Sequence, residues 1–145
     1  MPGPLIFLDI DGVLRRNGAP LYALEDDIRR LFEETLRAMP GAEVVISSSW
    51  REGFGLDEIR AHFSDDVASR IIGMTPIAQE SEHRRYREVL SYLIRTGQKG
   101  RPWVAVDDDP AHYPSSVNVI LVDPEKGLDS TAASRLRETG GGSRG

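Results

Sequence analysis

The chain has 145 residues, 39% of them hydrophobic and 28% charged, with a net charge of −5. This is one ordinary domain with enough apolar residues for a packed core, which excludes a disordered or fibrous chain. There is no cysteine, so disulfides, thiolate metal sites and thiol nucleophiles are excluded as well. No apolar run reaches the roughly 20 residues that a membrane-spanning helix needs. The start, MPGPLIFLD, lacks the basic region and cleavage site of a secretory leader. A cytoplasmic protein is expected. The acidic balance argues against broad nonspecific binding to nucleic acid, although a local basic cluster can still engage phosphates.

PLIFLD (4–9) reads as a buried strand that ends where Gly12 permits a turn. Residues 13–23 read as irregular, with Asn17-Gly18 as a turn signal. Leu24, Ile28, Leu31, Phe32 and Met39 recur at helical spacing, and Pro40-Gly41 stops that helix. EVVIS (43–47) predicts a second strand, running into the polar, Gly-rich SSWREGFG. Residues 56–63 read as a short helix, and Ser64 as the cap of another turn before a third strand at 70–72. Ser81 is the expected cap of a helix that carries Val89, Leu90, Leu93 and Ile94 inward and stops at Gly97. WVAVD (103–107) and VNVILVD (117–123) are strands four and five. Asp129 or Ser130 caps a last helix to about Glu138, and GGGSRG (140–145) is expected to be disordered. A single domain over 1–139 follows. Its alternating strands and helices predict an α/β, three-layer, doubly wound (Rossmann-like) fold with a mainly parallel five-stranded sheet. Such sheets bind ligands outside the carboxyl ends of their strands.

Strand one ends in Asp9-Ile10-Asp11, strand two in Ser47-Ser48-Ser49-Trp50-Arg51 and strand four in Asp107-Asp108-Asp109. Residues two apart in an extended chain point the same way, so Asp9 and Asp11 share a side if the strand persists that far. If strands one and four are neighbours, Asp107 arrives beside them. Gathered carboxylates repel one another, and a hard divalent cation relieves this; Mg²⁺ prefers a few carboxylates with waters and substrate phosphate. A serine hydroxyl after strand two either caps the next turn or binds a phosphate oxygen, and spacing alone does not choose between Ser47 and Ser48. His83-Arg84-Arg85-Tyr86-Arg87 opens a helix with cations at the end where the macrodipole disfavours them, a cost that an anionic ligand offsets.

With these residues assembled, the chain resembles the haloacid dehalogenase (HAD) superfamily of phosphohydrolases. FLDIDGVL matches the family's first motif, VVISSS its second and VAVDDD its fourth, in the right order. ISSSWR, IIGMTP, the arginine-bearing helix and the late GLDS are similar to a smaller group related to the HAD domain of RNA-repair proteins. The resemblance implies a Mg²⁺-dependent phosphatase with an aspartyl-phosphate intermediate. Asp9 would be the nucleophile, and Asp11 the general acid and then base. Asp9, the Asp11 carbonyl, Asp107 and Asp108 would form the metal site. Ser48, aligned by its distance to Trp50, would bind the phosphoryl oxygen, with Ser47 as the alternative. The chain departs from the family at the third motif, where a lysine is usual; Arg85 is the match here and Arg84 the next choice. No stretch is long enough for a large cap domain. An open site suits a macromolecular phosphate, such as a nucleic-acid end or a phosphoprotein. The rival readings are a non-catalytic phosphate- or metal-binding module and a metal-dependent nuclease. A signalling receiver domain is disfavoured, because it needs an aspartate after strand three and a lysine after strand five.

Overall fold

The computed structural model describes residues 3–20 and 23–142. Five short strands, β1 (Leu5–Leu8), β2 (Glu43–Ile46), β3 (Ile71–Met74), β4 (Trp103–Asp107) and β5 (Val119–Leu121), form one sheet in the order β3-β2-β1-β4-β5. Every pairing is parallel. Parallel neighbours require crossovers, supplied here by α1 (Asp26–Arg37), α2 (Leu56–Arg60), α3 (Asp65–Ala68) and α4 (Arg84–Arg95), with α5 (Ser130–Gly142) after β5. The α/β doubly wound expectation holds, and the described residues include no large cap.

The period of two along each strand divides the core. Ile6, Leu8, Val44, Ile46, Val104 and Val106 pack with Ile28, Phe32 and Leu36 of α1 and with Ala132 and Leu136 of α5. Leu5, Phe7, Val45 and Ala105 face the other way, onto Val89, Tyr92 and Leu93 of α4 and onto Tyr113. Phe7 meets Tyr92 and Trp103 edge to face, at centroid distances of 5.8 and 5.7 Å. Helices therefore cover both faces of the sheet.

Several boundaries differ from expectation. The helix expected over 56–63 ends at Arg60, and Ser64 precedes the expected further turn, α3, without capping it through its side chain: its N–H and hydroxyl both donate to the buried Glu33 carboxylate, at 2.8 and 2.9 Å. The helix expected to start at Ser81 begins at Arg84, after His83 in a left-handed conformation (φ 55°). Its inward stripe is Arg85, Glu88, Val89, Tyr92 and Leu93. Leu90 and Ile94, expected inside, are 38% and 61% exposed, because the buried face is centred one residue earlier in the helical period. Asp129 caps α5, accepting from the Ala132 N–H at 2.9 Å. That helix runs to Gly142, into the stretch expected to be a tail; residues 143–145 lie outside the described residues.

Candidate active site at the carboxyl edge of the sheet

Leu8 is in register with Ile46 on one side and Val106 on the other. The next residues are Asp9, Ser47 and Asp107. The ladder continues to them: the Asp9 N–H donates to the Val106 carbonyl at 3.1 Å and the Ser47 N–H to the Leu8 carbonyl at 2.9 Å. Alternation turns these three side chains to the α4 face, opposite the Leu8, Ile46 and Val106 side chains. All are buried, with Asp9 at 7% exposure and Ser47 and Asp107 at 1%. Sheet order and strand period together thus set two acids and a hydroxyl in one row.

Asp108 completes a carboxylate cluster. Asp9, Asp107 and Asp108 each offer an oxygen within 4.8 Å of the others. Burial, followed by repulsion from Asp107 and Asp108, pushes the Asp9 carboxyl well above the usual carboxylate range. Asp108 is also raised, by burial first, while its hydrogen bond with Asp9 works the other way. Gly12, at φ +81°, makes the packing possible, since a Cβ there would meet the Asp108 carboxylate at 2.3 Å. Asp107 accepts from the Asp109 N–H at 2.9 Å and contacts His112 Nδ1 at 3.0 Å. That hydrogen bond holds the His112 pKa above its ordinary value. Asp109 caps the turn after β4, accepting from the Ala111 N–H at 2.9 Å, and its Oδ2 lies 3.5 Å from His112 Nε2. His112 had no role in the sequence reading; it lies five residues from Asp107, and the 3-10 turn Pro110–His112 folds it back.

Asp11 does not join the cluster. The strand ends at Leu8, so the two-residue rule that would align Asp11 with Asp9 no longer applies. Its Oδ1 instead accepts from Arg15 Nη1 at 2.8 Å and from Trp50 Nε1 at 3.2 Å.

The two serines differ in what already holds them. Ser48 Oγ accepts the Trp50 N–H at 3.2 Å, capping the 3-10 turn Ser49–Glu52. Ser47 Oγ is buried beside the Tyr113 hydroxyl, with no hydrogen bond of normal geometry. An unpaired buried hydroxyl is uncommon and fits a ligand oxygen.

The arginines converge on Glu88, which is fully buried. Arg85 Nη1 donates to Glu88 Oε1 at 2.9 Å, Arg84 Nε lies 3.4 Å from Oε2 and Arg51 Nη2 lies 2.6 Å from it. The Ala78 N–H adds a fourth contact at 2.9 Å. Arg85 is 9% exposed and its Nε has no hydrogen-bond partner. Burial opposes its charge, but the Glu88 hydrogen bond and the fields of Glu88, Asp9 and Asp107 outweigh this and hold its pKa above the ordinary arginine value. Arg84 faces outward to Glu80 at 3.3 Å. Arg51 is a strut: it donates to the Ser48 carbonyl at 2.7 Å and the Thr75 carbonyl at 3.0 Å. A groove of about 360 Å³ opens beside Arg85 and His112, lined also by Glu80, His83 and Arg84.

Residues 5–133 match the family described as the HAD domain in Swiss Army Knife RNA repair proteins. The chain belongs to that family. It is a HAD domain, of phosphohydrolase kind, and the match spans every strand and the acidic clusters of β1 and β4. No curated protein and no solved structure matches the chain. Among the described residues, no helix is long and apolar enough to cross a membrane.

Proposed function

We propose that this HAD domain is a Mg²⁺-dependent phosphatase working through an aspartyl-phosphate, on a phosphate presented at an open site. The observation that carries the reading is the row of Asp9, Ser47 and Asp107 at the strand ends, with Arg85 on the same side. Three mutually repelling, largely buried carboxylates suit a hard dication. Asp9, Asp107 and Asp108, with the Asp11 carbonyl, would hold Mg²⁺, which when bound offsets their repulsion and the charge of the phosphate oxygens.

In the first step an Asp9 carboxylate oxygen forms a bond to phosphorus as the bond to the leaving oxygen breaks. Asp11 donates its proton to that oxygen. In the second step Asp11 takes a proton from water, the water oxygen bonds to phosphorus, and the Asp9–phosphorus bond breaks to release inorganic phosphate. Arg85 and a serine hydroxyl bind the equatorial oxygens; spread positive charge and donors are what phosphoryl transfer needs most. The unpartnered Oγ favours Ser47 over Ser48 for that role, and the field of Asp9 and Asp107 favours Arg85 over Arg84. Because no large cap covers the site, a macromolecular phosphate, above all a nucleic-acid end, is the substrate class we assign, acting in the cytoplasm.

Two measurements test this. Phosphate release from an aryl phosphate, and from oligonucleotides phosphorylated at either end, should require Mg²⁺ and stop with chelator. Internal cleavage without phosphate release would support the nuclease reading instead, and Mg²⁺ binding without turnover the binding module. Separately, Ser47→Ala should lower kcat/KM by about 100-fold, the typical loss for a donor to a reacting oxygen. Ser48→Ala should keep the rate within a few fold and lower stability by about 1 kcal/mol, as expected for a lost cap. The reverse ranking would return the phosphate contact to Ser48.

A further inference from the structure

The Asp11 carboxylate is about half exposed, and its surroundings treat its two oxygens differently. Oδ1 accepts from both Arg15 Nη1 (2.8 Å) and Trp50 Nε1 (3.2 Å), and Oδ2 accepts from none of the described residues. Both donors are fixed. Arg15, 9% exposed, also donates from Nε to the Ala23 carbonyl at 3.0 Å and from Nη2 to the carbonyls of Ala19 (2.7 Å) and Pro20. The Arg15 carbonyl accepts the Gly12 N–H at 2.8 Å, which closes the loop on itself. Trp50 is 4% exposed and wedged against Phe54 and His62, with ring centroids 5.4 and 5.3 Å away.

An oxygen that already accepts from a guanidinium and an indole cannot take up a proton without displacing a donor, and it cannot turn toward a substrate without breaking both bonds. The free oxygen can do both. We infer that Arg15 and Trp50 are positioning residues that commit Asp11 Oδ1, so that Oδ2 is the oxygen that passes the proton to and from the reacting group. The inference rests on the reading of Asp11 as general acid and base.

Trp50→Phe keeps an aromatic ring and removes the N–H together with part of the buried indole's volume, a packing loss that would fall equally on every ester. Its kcat/KM would be measured on phosphomonoesters running from dinitrophenyl phosphate to a simple alkyl phosphate. This constant reports phosphorus–Asp9 bond formation, in which a poor leaving group needs its proton and a good one does not. The expected result is a loss of about 10-fold on the alkyl ester, part of the 100-fold or more that general acid catalysis can supply, and little change on the dinitrophenyl ester. In an Asp11→Asn background the same substitution should add no further loss, since the two residues act as one unit. An equal loss on every ester, or a loss that persists without Asp11, would mark Trp50 as merely structural and overturn the proposal. A wild-type protein that hydrolyses no ester would remove the underlying phosphatase reading, an outcome distinct from either of these.

Discussion

Asp9→Asn should abolish Mg²⁺-dependent phosphate release, lowering kcat by more than about 1,000-fold, the scale on which loss of a nucleophile acts. The amide keeps the shape and the Ile10 N–H contact (2.9 Å), so the fold should survive. It should even gain stability in chelator. The buried Asp9 carboxyl has a pKa well above 3.8 in the fold, because of burial first and of Asp107 and Asp108 second. Between 3.8 and that raised value the folded state binds more protons than the unfolded state, so wild-type stability falls as pH rises through this window. By neutral pH, well above the unfolded value, that loss has accumulated and the group destabilises the fold. A neutral asparagine removes that penalty. Thermal melts in chelator at pH 7 should therefore place Asp9→Asn above the wild type, and added Mg²⁺ should raise the wild type more than the variant. A mutant with full phosphate release would overturn the nucleophile assignment whatever its melting temperature.

Glu88→Gln is expected to give the largest loss of stability, about 3–5 kcal/mol, the range for removing one member of a buried ionic network. The carboxylate is fully buried and neutralises Arg51, Arg84 and Arg85 together. Without it three guanidinium groups face one another with one anchor fewer, and the β2 loop held by Arg51 loses its tie to α4. At several degrees per kcal/mol for a domain of this size, the melting temperature should fall by about 10 °C or more. A drop of only one or two degrees would show that water or Glu80 takes over the charge, and that the network is a weaker fastener than its geometry implies.

The parallel sheet was legible because β1, β2 and β4 are short, almost wholly apolar runs bounded by turns, and such runs are tolerated only where both faces are covered. The positions of Asp9, Ser47 and Asp107 relative to those elements were legible for the same reason. The short strand β5 and the stripe of α4 were less so: a three-residue strand carries little periodicity, and the α4 stripe includes Arg85 and Glu88, charges that a pattern of apolar residues passes over. What only the tertiary structure decided is how the polar groups pair. Asp11 lies two residues from Asp9, yet its partners are Arg15 and Trp50, because the strand ends before Asp11 and the chain turns at Gly12. Ser47 and Ser48 are neighbours of identical chemistry, and only alternation across the sheet, with the cap at Trp50, separates them. Glu88 collects arginines from the β2 loop and from its own helix, 37 positions apart at the widest. The sequence by itself determined which residue types end each strand and therefore the kind of chemistry; long-range packing, which brings distant donors to particular oxygen atoms, decided which of those residues is free to do it.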